Sequence, residues 1–547
     1  VFYKKKKMPN GILNLLMESG RGMTKLFSNQ NLNASCRKSI KVFLALSILA
    51  AFYSEALWAA AALPTQFDFG TGAAAPGYTK VTPTTIYSAA VGYGFQPSKS
   101  PVTAVSRGGG DLLRGDYCTS VDSFSFSLNL PLGNYTVNVY LGDLNGTSTT
   151  SVYGEQRRLF LDRITTASGQ TITKSFTINR RDYKNGSVTI SRTDRELTYS
   201  DFDNVLNFTF AGSKIAVCGI DVAPAAAVTT IYVCGNSTSV DQPDEPFCSW
   251  PQMITRMFNQ QVSIADYAES GLTAGSFLDQ HRLDMIGTVI KAGDYVLAEF
   301  GHNDQKNATD IANYCVNLKQ YSDFAIAHNA TPIFVTPTAR KTENDSTTSV
   351  GGMAQKARDC AKTNSVKVIE LNAGVIALHK SIGTANVAAL YADGDATHFS
   401  DYGSFELARV VAKCIVGLSL DIAKYLTTDL PLFDPAKPDP LNYLTTPTPI
   451  GTMVLGPSER LKQTVDSHRL SVDMAACIVR FDPGQTGAAV FSLYSLNGKL
   501  VAEKRAVLDN AQGTMAWQEL SKLAEGIYVA DMNIENVTIG KSIVCKF

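Results

Sequence analysis

Six histidines are few for a chain of 547 residues, and two of them follow a carboxylate by three positions: His302 after Glu299 and His398 after Asp395. A carboxylate on one ring nitrogen of an imidazole holds its tautomer and steadies the imidazolium, which leaves the other nitrogen to take a proton from a hydroxyl. Serine is a weak nucleophile until such a base lies within hydrogen-bond reach. Ser237, in Gly235-Asn236-Ser237, directly follows an apolar strand-like run, and a side chain at a strand end is exposed and rigidly placed. Context separates the two acid–histidine pairs. Glu299 belongs to the run Asp294 to Phe300, where three residues span about 10 Å and the two side chains point to opposite faces. Asp395 stands beside Gly394 in a loop and can fold back onto His398. The expectation is a triad of Ser237, His398 and Asp395, with His302 shaping its loop.

Acyl transfer also needs donors aimed at the developing oxyanion. Gly301-His302-Asn303-Asp304 ends a second apolar run and puts the Asn303 side-chain amide at a strand edge. Gly271 follows a strand through Tyr267 and Ala268, and its N–H can be approached closely because no Cβ intervenes. The Ser237 N–H is the third donor. Open α/β sheets bind ligands at the carboxyl ends of their strands, where all of these residues fall.

The elements that must position them follow from the rhythm of the chain. From Thr229 strands alternate with helices. Ile231 to Cys234, Val262 to Ala268, Tyr295 to Phe300, Pro332 to Thr336 and Val366 to Leu371 read as strands, and Ala308 to His328 and Gly403 to Lys424 as helices. That alternation predicts a parallel sheet with helices on both faces. Residues 62–225 read as all-β, with period-two runs such as Phe124 to Leu128 and Tyr135 to Leu141 between turns at Leu132-Gly133-Asn134, Asn145-Gly146 and Lys184-Asn185-Gly186. They predict a β-sandwich. Residues 428–459 are Pro-rich and read as a linker, and 460–547 return to strands and turns as a second, smaller β-sandwich. The expected organisation is 1–61 as signal peptide with an extra leading segment, then 62–225, 226–427, 428–459 and 460–547.

Composition narrows the class. Lys plus Arg and Asp plus Glu both number 49, so no electrostatic case exists for a nucleic-acid partner. Arg37, Lys38 and Lys41 precede the apolar run Val42 to Phe52, and Ala59-Ala60-Ala61 follows. That is an export signal, too short to span a bilayer, so a secreted or cell-surface protein without membrane insertion is expected. Ten cysteines suit export. Pairing of Cys118 with Cys218 and of Cys477 with Cys545 within the flanking regions is compatible with the sequence, but connectivity stays open. No Cys-x-x-Cys and no His-Glu-x-x-His occurs, so neither metal nor cofactor is expected.

Taken together, Gly235-Asn236-Ser237-Thr238, Ala268-Glu269-Ser270-Gly271, Phe300 to Lys306, Thr336-Pro337 with Arg340, and Asp395-Ala396-Thr397-His398-Phe399 resemble the SGNH (GDSL-type) hydrolase superfamily, and within it the rhamnogalacturonan acetylesterase family. The resemblance covers roughly residues 229 to 425. It implies a flavodoxin-like three-layer α/β fold and metal-free ester hydrolysis, with Ser237 as nucleophile, His398 as base, Asp395 as its orienter, and Ser237, Gly271 and Asn303 as the oxyanion hole. Asn236, His302, Lys306 and Arg340 come with it as substrate contacts. Two positions depart from the pattern: Asn236 stands where the family usually has Asp, and Leu272 where an Arg often follows the glycine.

The first β domain resembles a galactose-binding-like sandwich, through Phe67-Asp68-Phe69-Gly70, Gly92-Tyr93-Gly94-Phe95 and Glu155-Gln156-Arg157-Arg158. The tail resembles C-terminal sorting-type β domains of exported bacterial enzymes, through Leu493 to Lys499, Gly526-Ile527-Tyr528 and Lys546-Phe547, which implies a secretion machinery as partner. The implied function is a secreted esterase removing acetyl groups from rhamnogalacturonan of pectin, an acetylated plant cell-wall polysaccharide. Its rivals are an acetylesterase on xylan or another glycan, a lipase-like esterase of the same superfamily, and an inactive carbohydrate-binding protein.

Overall fold

The computed structural model describes residues 64–434, 437–444 and 470–546, apart from 194, 197–201, 203–204 and short segments of the last stretch. The expected signal segment, Pro435, Pro447 and Pro449, Cys477 and the Asn497-Gly498 turn lie outside the described residues.

Alternation of buried and half-buried residues from Tyr135 to Leu141, within the strand Gly133–Asp143, shows why this segment is a strand with one face on a core. It pairs antiparallel with Gln170–Arg180 and Val217–Pro224 in a seven-stranded sheet. A five-stranded sheet packs against it in the order Tyr93–Phe95, Phe124–Asn129, Val205–Lys214, Ser148–Gly154, Arg158–Thr166. Between the sheets lie Phe67, Phe69, Phe95, Phe124, Phe126, Phe208 and Phe210. The aromatic cues Phe67, Phe69 and Phe95 are therefore core residues. The Leu132-Gly133-Asn134 turn is shorter than expected, because Gly133 already opens the strand.

The catalytic-type domain has five parallel strands: β1 (Thr229–Gly235), β2 (Val262–Asp266), β3 (Tyr295–Glu299), β4 (Thr331–Val335) and β5 (Lys367–Ile369). Their order is β2-β1-β3-β4-β5. The strands are apolar runs rather than alternations because both faces are covered. Ile231 and Val233 point into one core with Tyr295 and Leu297, and Tyr232 and Cys234 into the other with Val296 and Ala298. Helices α1 (Ala308–Ala327) and α2 (Met353–Thr363) cover the second face, and α3 (Leu371–Ile382) and α4 (Asp401–Gly417) the first. Strand order reverses beside β1, and that is where such a sheet opens a crevice at its carboxyl edge. Several expected elements are shorter: β2 ends at Asp266 and β3 at Glu299, β5 ends at Ile369 because Leu371 starts α3, and α4 stops at Gly417, with a 3₁₀ turn at Asp421–Tyr425.

The described stretches 428–434 and 437–444, expected as part of a linker, are a packed strap. Phe433 and Leu444 are buried in the core beneath α4. Arg256 pairs with Asp429 at 2.7 Å and Arg409 with Asp439 at 2.5 Å. Arg163, from the N-terminal sandwich, donates to the Tyr443 carbonyl and stacks over its ring. Prolines give up N–H donors, so side chains and carbonyls carry this attachment. The cysteine pairing also differs: Cys118 and Cys218 are free buried thiols, and among the described residues a disulfide joins Cys315 on α1 to Cys360 on α2.

The C-terminal strands form a three-stranded sheet (Leu470–Asp473, Ile478–Phe481, Gly513–Ala516) and a four-stranded one (Leu500–Leu508, Gly487–Ser495, Gly526–Ile534, Val537–Lys546), all antiparallel. Val479 of the first and Phe491 and Leu493 of the second share one small core with Trp517.

Candidate active site

At the end of β1 the chain turns so tightly that a Cβ on Gly235 would overlap the Ser239 hydroxyl. The Asn236 carbonyl accepts the N–H groups of Ser239 (3.1 Å) and Val240 (2.9 Å). Its side-chain oxygen accepts the Thr238 N–H (3.1 Å) and hydroxyl (2.9 Å). Asn236 is fully buried, so it builds the turn and is not a substrate contact as expected. Its Nδ2 has no acceptor, and the turn uses only the oxygen that asparagine and aspartate share.

The turn presents Ser237 Oγ at 2.8 Å from His398 Nε2. His398 Nδ1 lies 2.9 Å from Asp395 Oδ2. The other carboxylate oxygen accepts the N–H groups of Thr397 (2.6 Å) and His398 (2.9 Å). The Gly394 backbone, at φ +74°, lets this loop close on itself. Burial acts to raise the Asp395 pKa, but the hydrogen bonds from His398 and Thr397 outweigh it and hold the carboxyl down at about 2. A carboxylate ionised at every working pH keeps the neutral imidazole protonated on Nδ1 and Nε2 free to accept.

Gly271 and Asn303 follow β2 and β3, the two neighbours of β1, so all three loops meet one edge of the sheet. Gly271 adopts φ +82°, and a Cβ there would meet nothing within 4 Å. Backbone conformation rather than close approach therefore requires glycine. Asn303 donates one Nδ2 hydrogen to the Leu272 carbonyl (2.9 Å) and accepts from Lys306 Nζ at Oδ1 (2.7 Å). A cation at one end and a carbonyl at the other leave the amide a single orientation, with its second N–H hydrogen unused. Among the described residues nothing accepts the Ser237 or Gly271 N–H. Asp304, to which the sequence reading gave no role, ties the two loops together by accepting the N–H groups of Ala274 and Gly301, each at 2.8 Å. Burial pushes its carboxyl up to about 6 despite those bonds.

The other expected contacts divide. His302 is a buried wall: its Nε2 lies 3.1 Å from the Thr338 hydroxyl and its Nδ1 has no partner. Burial first, and then the charges of Arg340 and His398, push its pKa down to about 3, so the ring is neutral. Its burial contradicts a substrate-contact role. Lys306 is exposed but committed to Asn303. Arg340 is half-buried and its Nε has no acceptor. Glu299 does not meet His302. It lies beneath the nucleophile turn, 2.9 Å from the Thr238 hydroxyl and accepting the Trp250 indole N–H (2.6 Å), and burial pushes it up to about 7. Trp250 and Thr238 carried no readable signal for that partnership.

A hydroxyl–imidazole–carboxylate arrangement at the carboxyl edge of a flavodoxin-like parallel sheet has the architecture of a serine-type hydrolase of the SGNH fold. The profile of the GDSL-like lipase/acylhydrolase family matches residues 233–404. That of the beta-agarase/YXIM esterase-like, galactose-binding domain-like family matches residues 65–203. Rhamnogalacturonan acetylesterase RhgT of Bacillus subtilis (strain 168) is 30% identical over 218 residues, which are 36% of this chain and 94% of that protein. The uncharacterized esterase YxiM of the same organism is 26% identical over 361 residues, 64% of this chain and 89% of that one. The crystal structure of protein YxiM covers 65% of this chain and 99% of its own at 25% identity, with a TM-score of 0.36. The chain belongs to the GDSL-like lipase/acylhydrolase family. It is a carboxylic ester hydrolase carrying an N-terminal galactose-binding-like domain.

Proposed function

We propose that the protein removes acetyl groups from a plant cell-wall polysaccharide, rhamnogalacturonan, with Ser237 as nucleophile. Ser237 Oγ attacks the acetyl carbonyl as its proton passes to His398 Nε2, and Asp395 stabilises the imidazolium. The oxyanion is held by the N–H groups of Ser237 and Gly271 and by the free Asn303 hydrogen. His398 returns the proton to the departing sugar oxygen. Water, deprotonated by His398, then attacks the acetyl carbonyl, the bond to Ser237 Oγ breaks, and His398 returns the proton to Ser237 Oγ as acetate leaves.

The observation that carries the reading is the relay at 2.8 and 2.9 Å. The side chains of His398 and Asp395 are about a quarter exposed, an open site that suits a polymer. Kinship with RhgT supports rhamnogalacturonan as substrate. The basic-then-apolar run Arg37 to Phe52 supports export, and the C-terminal β domain is proposed to engage the secretion machinery.

The test compares acetate release from acetylated rhamnogalacturonan and acetylated xylan with fatty-acid release from a triacylglycerol, using Ser237→Ala as blank. Fastest release from rhamnogalacturonan supports the reading. Preference for xylan or lipid overturns the substrate, and no turnover of any ester, an aryl acetate included, would leave a binding protein.

A further inference from the structure

The loop Glu155-Gln156-Arg157-Arg158 belongs to the N-terminal sandwich, yet its polar groups reach both halves of the relay. Glu155 and Arg157 hold φ of +49° and +58°, a conformation unfavourable for side-chain-bearing residues. Such strain persists only where surrounding contacts enforce it. Here Arg157 is 5% exposed, and its guanidinium leaves its own domain. Nη1 donates to the Phe247 carbonyl (2.8 Å), and Nη2 donates to both carboxylate oxygens of Asp401 (2.7 and 2.9 Å). These acceptors flank the catalytic histidine segment. Cys248 N–H donates to the Phe399 carbonyl (2.9 Å), which joins 247–248 to 399–401, and the Phe247 ring stands edge-on to His398 at 5.9 Å.

The neighbouring residue reaches the other half. The Gln156 carbonyl accepts from Gln252 Nε2, which also donates to the Gln242 carbonyl (2.9 Å). Gln242 Nε2 in turn donates to the Ser237 carbonyl (3.0 Å). Two consecutive residues of one domain thus brace the nucleophile and the base of the other.

We propose that Arg157 is a positioning residue that sets the His398 imidazole against Ser237, so that the N-terminal sandwich is a working part of the active site. This rests on the triad assignment and not on the choice of polysaccharide. A buried bidentate arginine is suited to the task because its planar fork fixes two acceptors at once.

The experiment uses the full chain and measures p-nitrophenyl acetate hydrolysis per folded molecule, together with the rate at which a p-nitrophenyl phosphonate labels Ser237. Arg157→Gln is expected to lower kcat and the labelling rate in parallel by about 10²-fold, the scale of a 1 Å misplacement, with KM nearly unchanged. Arg157→Lys, which retains one contact, recovers part of the loss. Thr177→Val removes a different contact of the same interface, the 2.7 Å bond to the Gln260 carbonyl at the amino edge of the sheet, and leaves kcat unchanged. Should Arg157→Gln not fold, Asp401→Asn weakens the same pair from the other side and is expected to lower kcat in the same sense. Unchanged kcat in the folded variant, or an equal loss in Thr177→Val, overturns the positioning role. Failure of the wild type to label at Ser237 would overturn the triad assignment instead.

Discussion

The Lys306 ammonium lies 2.7 Å from the side-chain oxygen of Asn303. That contact turns a residue expected to hold substrate into one that orients the side-chain amide of Asn303, the proposed oxyanion donor. Asn303→Ala is expected to lower kcat by roughly 10²–10³. Lys306→Met keeps the donor but frees the amide to flip, so a smaller loss of about tenfold in kcat is expected. Steady-state kinetics on an aryl acetate separates the cases. A change confined to KM for Lys306→Met would return it to the substrate.

Ser237→Ala removes the proposed attacking oxygen and should abolish nearly all turnover, a loss on the order of 10⁴ or more. Retention of most of the acetate release would move the nucleophile elsewhere.

Glu299 links the site to pH. Its folded pKa is raised from 4.5 to about 7 by burial, so between those values the folded chain holds a proton that the unfolded chain releases. Its contribution is therefore greatest below pH 4.5 and is lost as pH rises toward 7, by about 3 kcal/mol in all. Asp304 and Glu406, also raised, to about 6 and about 8, act in the same direction. Glu299→Gln should leave a shallower fall. The difference between denaturation free energies of variant and wild type, followed from pH 4.5 to 8, reads this directly, and a pH-independent difference would mean Glu299 stays ionised.

The Cys315–Cys360 bridge closes 45 residues of sequence between α1 and α2. Chain-entropy reasoning gives it about 4 kcal/mol at most. Urea unfolding of Cys315→Ser/Cys360→Ser should show a lower midpoint, with acetate release in the absence of denaturant little changed. A midpoint equal to that of the wild type would show that the crosslink adds no stability.

The features legible in the sequence are local. Asp395 and His398 meet because three residues of loop, closed at Gly394, bring them together, whereas the same spacing along a strand keeps Glu299 from His302, so spacing and local context together contained the pair. Strand ends placed Ser237, Gly271 and Asn303 at one edge because parallel strands share a direction and apolar runs mark their lengths. Periodicity says which face is buried but names no partner. That Asn236 and His302 would be buried, that Glu299 would meet Trp250, and that Phe433 and Leu444 would pack into the core followed from how separate elements close on one another. Arg157 is the extreme case: it lies 244 residues from Asp401 in sequence, and only the packing of two domains makes them neighbours. The chemistry was determined by short-range sequence, whereas the bracing that holds it was decided by burial, because a buried charge or amide takes whichever partner the packed elements bring within reach.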